Sequence, residues 1–164
     1  MGEKRPNQRI EEIAASLLNE DKLKSFLEFY DFLKSNKLGI GKSGYRWAVK
    51  YKNKRICSIR FDEDLWAINY FNLHASDKWF DKFEKYLTVE LKNFILRNIN
   101  TTGKCCVMGQ CNSRENRIIL GKKFTDRVCA CGPIILHNPN GETLEYAKEL
   151  VLMAKKAIAE VAEN

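Results

Sequence analysis

Five of the six cysteines in this chain fall between positions 105 and 131, and thiols are the side chains here whose type and spacing could do chemistry. Four residues separate Cys106 from Cys111, one separates Cys129 from Cys131, and 17 lie between the two pairs. Two close pairs at that distance match a zinc knuckle whose partner pair sits on a hairpin. Cys106, Cys111, Cys129 and Cys131 are therefore the candidate ligands of a structural Zn2+, with Cys105 and His137 in reserve. Four thiolates around zinc carry a formal charge of −2, which neighbouring lysines and arginines would offset. Two features weigh against a metal. Neither pair has the usual two-residue spacing, and a strand through Cys129-Ala130-Cys131 would turn both sulfurs to one face. The competing readings are a redox or reactive thiol, favoured by basic neighbours that lower a thiol pKa, and plain burial of small apolar groups.

A second set of candidates is charged. The net charge of +7 concentrates in two islands. Tyr45 to Phe61 holds six basic residues and no acidic one, and Thr101 to Gly132 holds six more against Glu115 and Asp126. Clustered cations on a sheet face can follow a phosphate backbone, and Arg46, Lys50 and Arg60 are the candidate polyanion-binding residues. Exposed aromatic rings, which such surfaces use for stacking, are not expected beside them. Weak, non-specific nucleic-acid binding is the corresponding expectation, and a solvated sheet face is the alternative.

Catalytic arrangements are sparse, and no residue is assigned a catalytic role. His74 and His137 stand in different segments, and Asp62, Glu63 and Asp64 form a turn without metal-loop spacing. Nucleophile-elbow, zincin, P-loop and dinucleotide fingerprints are missing from the sequence. A thiol–imidazole pair of Cys129 or Cys131 with His137 has only short spacing to support it.

The elements that would position these residues follow from periodicity. Ile10, Ile13, Ala14, Leu17 and Leu18 have helical spacing, as do Leu23, Phe26, Leu27, Tyr30 and Leu33 after a break near Asn19. Gly39 reads as a helix stop, and Gly41 and Gly44 as loop. The period then becomes two. Tyr45, Trp47, Val49 and Tyr51 alternate with polar residues, and a three-residue turn at 52–54 pairs Trp47 with Ile59, Val49 with Cys57 and Tyr45 with Phe61. That register gathers Arg46, Lys50, Ser58 and Arg60 on the opposite, open face. A third strand carries Trp66, Ile68 and Tyr70 inward. One helix over 76–98 presents Phe80, Phe83, Leu87, Leu91, Phe94 and Ile95. Strands are expected at Ile118–Leu120 and within Val128–Leu136. Asn138-Pro139 supplies a cap and a first-turn proline for a last helix carrying Leu144, Ala147, Val151, Ala154, Ile158 and Val161.

The segment from Cys105 to Lys155 resembles a family of small uncharacterised bacterial proteins. The resemblance rests on Leu120-Gly121-Lys122-Lys123-Phe124, Val128-Cys129, and Asn138-Pro139-Asn140-Gly141-Glu142-Thr143-Leu144-Glu145. It implies a bacterial, cytoplasmic protein and brings no functional residues with it, because no activity is assigned to that family.

The sequence thus predicts one α+β domain over 1–164. It comprises a helical N-terminal segment (1–40), a β-meander (45–71), a helix (76–98), a cysteine-bearing segment (101–136) and a C-terminal helix (139–163). The antiparallel sheet holds three meander strands plus one or two later ones, with long helices over one face. A chain this long buries roughly 70% of its unfolded surface, so no metal is needed merely to fold it. No apolar run approaches the ~20 residues of a membrane span. The N-terminus lacks a secretory pattern, and Pro6 stands where myristoylation wants Ser or Thr. The expected function is a non-catalytic binding or regulatory module with a candidate structural zinc site and an unspecified ligand or protein partner. The alternatives are a thiol-dependent enzyme or redox protein, and a nucleic-acid-binding accessory protein acting through the basic hairpin.

Overall fold

The computed structural model describes residues 8–70, 83–101, 114–129 and 132–161. The fold is α+β. Two helices, α1 (Ile10–Leu17) and α2 (Glu20–Ser35), lead into four consecutive antiparallel strands: β1 (Gly39–Ser43), β2 (Arg46–Tyr51), β3 (Lys54–Asp62) and β4 (Leu65–Tyr70). Helix α3 (Val89–Arg97), a two-stranded hairpin of β5 (Arg114–Ile119) and β6 (Lys122–Cys129), strand β7 (Ile134–His137) and a 21-residue helix α4 (Gly141–Val161) follow. The main sheet has the order β1-β2-β3-β4-β7. No helix among the described residues is long and apolar enough to cross a membrane.

The meander register follows from the hydrophobic alternation. Trp47 lies opposite Ile59 and Val49 opposite Cys57, as the sequence pattern requires. The turn that achieves this has two residues rather than three: Lys52 and Asn53 both take positive φ, the pattern of a type I′ turn. Lys50 pairs with Arg55 and Val49 with Cys57, so Ile56 is an extra residue that restores the register. Ile59, Ile68, Tyr70 and Leu136 continue the apolar face, against which α1, α2 and α4 pack. At its centre Trp66 meets Phe26 edge-on at 5.6 Å and Phe29 at 6.0 Å. The Tyr70 hydroxyl donates to the Ala147 carbonyl of α4 at 2.7 Å, and burial raises that hydroxyl well above its ordinary pKa, so it stays a donor.

Local chemistry sets the ends of the elements, and several differ from the sequence pattern. Asn19 caps α2 by accepting from the Lys22 N–H, while its own N–H donates to Asp64 in the β3–β4 turn. Lys22 donates to the same carboxylate at 2.5 Å, tying the α1–α2 corner to the sheet. Helix α2 ends before Gly39. The Leu38 N–H bonds the Leu33 carbonyl and the Lys37 N–H bonds the Lys34 carbonyl, with Lys37 at φ 57°. That is a Schellman motif with lysine in the position glycine usually fills. Gly39, read as the stop, instead begins strand β1, and Gly41 lies within it. The two-residue turn Gly44–Tyr45 joins β1 to β2 and leaves Tyr45 59% exposed rather than in the core. In place of one helix over 76–98, the described part is helical at Phe83 and Glu84, breaks over 85–88, and resumes as α3 at Val89, where the Thr88 hydroxyl accepts from the Leu91 N–H and starts a new helix. Asn138 does not cap the last helix. Its N–H donates to the Trp66 carbonyl and its Oδ1 accepts from the Trp66 N–H, and α4 begins at Gly141. The start of the helix expected over 76–98 lies outside the described residues.

Candidate functional site: a lysine-lined groove at the sheet edge

The sheet face opposite the helices is built from the polar half of the alternation. Ser43 pairs with Arg46, Arg60 with Ala67 and Ala67 with His137, and the adjoining row runs Gly41–Ala48–Ser58–Asn69–Ile135. The three residues expected to bind a polyanion do share this face, but their surroundings differ. Lys50 is exposed, Arg46 is half-buried and Arg60 is only 8% exposed. Ser58 and Asn69 are buried as well, so the face is not the open, solvated surface that the alternation suggests. The Arg46 guanidinium lies 5.0 Å from the centre of the exposed Tyr45 ring, and Arg60 approaches Asp62 at 3.9 Å.

At the free edge of the sheet lies a groove of about 470 Å³, lined by residues of both faces. Its floor is made by Gly39, Gly41 and Ala48, whose small or missing side chains leave the backbone close to solvent. A Cβ at Gly41 would meet nothing within 4 Å, and neither Gly39 nor Gly41 has positive φ. Glycine is therefore not demanded here by backbone conformation. Its effect is the empty space. Lys37, Lys42, Lys50 and Lys52 line the groove with Tyr51, and no carboxylate lines it among the described residues. A fifth cation stands behind: Lys155 of α4 donates to the Asn36 carbonyl at 2.7 Å and sits 5.3 Å from the Tyr51 ring centre. Like charges this close repel one another unless an anion offsets them. The Gly41-Lys42-Ser43 run is paired with β2 and does not open a helix, so it does not form a phosphate-cradling loop of the P-loop kind.

Of the candidate zinc ligands, Cys106, Cys111 and Cys131 lie outside the described residues, as does the reserve ligand Cys105. Cys129 ends β6, is fully buried, and donates its backbone N–H to the Asn100 carbonyl. His137, the other reserve ligand, is exposed at the end of β7. Among the described residues no group of three or more His, Cys, Asp or Glu side chains converges to hold a metal. Cys57 faces the core at 1% exposure, and burial pushes its thiol far above the ordinary value. His74 lies outside the described residues.

Comparison with protein-family models, with curated proteins and with solved structures finds no match to the chain.

Reading the sequence by strand alternation finds Lys50 but misses Lys37, Lys42 and Lys52. A signal for them is present: between Asp31 and Asp62 the chain has no acidic residue and nine basic ones. Their convergence on one edge depends on strand β1, which pairs with β2 and borders the groove.

Proposed function

We propose that this protein is a non-catalytic binding module whose partner is anionic and docks at the β1 edge groove. The observation that carries the proposal is the set of four lysines around a Gly-Gly-Ala floor with no lining carboxylate among the described residues. A solvated face gains nothing from concentrating like charge over a floor of small or missing side chains. A site for an extended anion gains attraction on approach and close access to backbone once there. This reading keeps the function in the binding class and moves its centre from Arg46 and Arg60 to the groove lysines, with Lys50 common to both.

The test is affinity for heparin oligosaccharide, polyglutamate and an oligo-dT strand at low and at physiological salt. Binding should weaken steeply as salt rises, because it rests on ion release. Replacing Lys42, Lys50 and Lys52 together by Gln should reduce affinity about tenfold or more, whereas Gln at Lys24, Lys92 and Lys123, none of which lines the groove, should change it little. Equal losses in the two triple variants would mean that net charge, not the groove, does the binding. A structural zinc held by Cys106, Cys111, Cys129 and Cys131 is a separate proposal, tested by metal analysis of protein purified without chelator.

A further inference from the structure

We infer that the partner is an extended acidic polypeptide segment, which adds to the sheet as a sixth strand alongside β1. The inference deepens the anionic-partner reading and rests on it. Among the described residues strand β1 is the terminal strand of the sheet, and four of its five residues are exposed. The two-residue turn closes on the pair Ser43–Arg46, so Ser43, Gly41 and Gly39 exchange hydrogen bonds with β2. Ile40 and Lys42, the residues between them, then direct their N–H and C=O groups outward. Such an edge is a template for another chain, and proteins usually blunt it with charge, proline or a cover. Here, among the described residues lining the edge, the charge is all of one sign.

The cations flank the edge on both sides of the sheet. The register places Lys42 with Trp47 on the helix-covered face, whereas Lys50 lies on the opposite face with Ala48. Lys37 and Lys52 stand near the start of β1. An added strand presents alternate side chains to the two faces, so acidic side chains on either row would meet a lysine. The glycine floor leaves room for the row that points into the groove. A second copy of this chain fits poorly, because its own lysines would be brought against these. Nucleic acid could neutralise the lysines, but a phosphate backbone offers no N–H to the outward carbonyls of Ile40 and Lys42. Tyr51, the tyrosine at the groove, already carries protein cations, Lys52 and Lys155.

The experiment uses the full chain and three probes at low salt: a labelled peptide of alternating Glu and Val, the same peptide N-methylated at its four central amides, and an oligo-dT strand of matched charge. N-methylation keeps the charge and removes the strand's donors. The inference expects the unmodified peptide to bind, the N-methylated one to bind about tenfold more weakly or worse, and amide exchange at Ile40 and Lys42 to slow on binding. Equal affinity for the two peptides would overturn strand addition while leaving the anionic-partner reading intact. Tighter binding of oligo-dT than of the peptide would overturn it in favour of nucleic acid. Failure of all three probes to bind would overturn both readings.

Discussion

Replacing Asn69 by Val should make this protein more stable. Asn69 is 4% exposed in β4, between Ser58 of β3 and Ile135 of β7, and neither its Oδ1 nor its Nδ2 has a hydrogen-bond partner among the described residues. Taking an amide out of water without a replacement bond costs about 1–3 kcal/mol. Valine removes that cost, and its branched Cβ suits a central strand. Space does not oppose it. A Cβ built at Gly132 would lie 3.4 Å from Nδ2, so the amide reaches against Gly132, and valine, one atom shorter, withdraws from that contact. Some packing is lost at the tip, which brings the expected net gain down to about 1 kcal/mol. In a urea titration the midpoint should rise with the slope unchanged. In a thermal melt the same gain is about 2–4 °C for a chain of this size. Asn69→Ala, which relieves the amide but leaves a gap, should fall near the wild type. A loss of more than about 1 kcal/mol in the valine variant would refute the reasoning, since it would mean that the amide is bonded in the native protein.

Two further outcomes follow from the titrating groups. The Lys22 ammonium, then the Asn19 N–H, hold the Asp64 carboxyl below its ordinary range, so its contribution is present above the unfolded-state pKa and is lost as pH falls through the lower folded value. Asp64→Asn tolerates the positive φ of that position and should lower the melting temperature at pH 7 but not at strongly acid pH; an equal drop at both would exclude the charge as the cause. Burial raises the Cys57 thiol far above its usual value, so iodoacetamide should label the Cys57 peptide only at the rate of unfolding, as mass spectrometry would read. Labelling of Cys57 as fast as in urea would show that β3 opens readily.

The main sheet was readable because its apolar alternation is strong. Trp47, Val49, Cys57 and Ile59 admit few registers, and the register that clusters them is the one formed, even though a two-residue turn and an extra Ile56 produce it. Strand β1 was not readable. Gly39-Ile40-Gly41-Lys42-Ser43 has one apolar residue and two glycines, and its strand form comes from pairing with β2 rather than from propensity. The burial of Ser58, Arg60 and Asn69 was hidden for a related reason: period-two patterning tells which residues share a face, not whether anything covers it. At the ends of helices, local hydrogen bonds overruled the residue types that usually mark them. Lys37 took the left-handed position expected of Gly39, and Asn138 spent its side chain on Trp66 instead of on α4. The groove falls between these cases: the acid-free run from Phe32 to Phe61 is visible in the sequence, but its convergence on one edge depends on a strand the pattern does not announce.

The position of β7 has a kinetic consequence. Strands β1 to β4 can zip from two-residue turns, each closing a loop of a few residues on the microsecond scale. Strand β7 is different: Ala67 must find His137, 70 positions later, before Ile134 and Leu136 can join the apolar face. Only then can the chain turn at Asn138 and lay α4 against the meander, where Tyr70 meets Ala147. The entropy of that long closure comes before its reward, so pairing of β7 is expected to be the slow step of folding. Until it arrives, β4 is a second open edge, next to the buried aromatic centre at Trp66, and a nascent chain is most exposed to mispairing there rather than at β1.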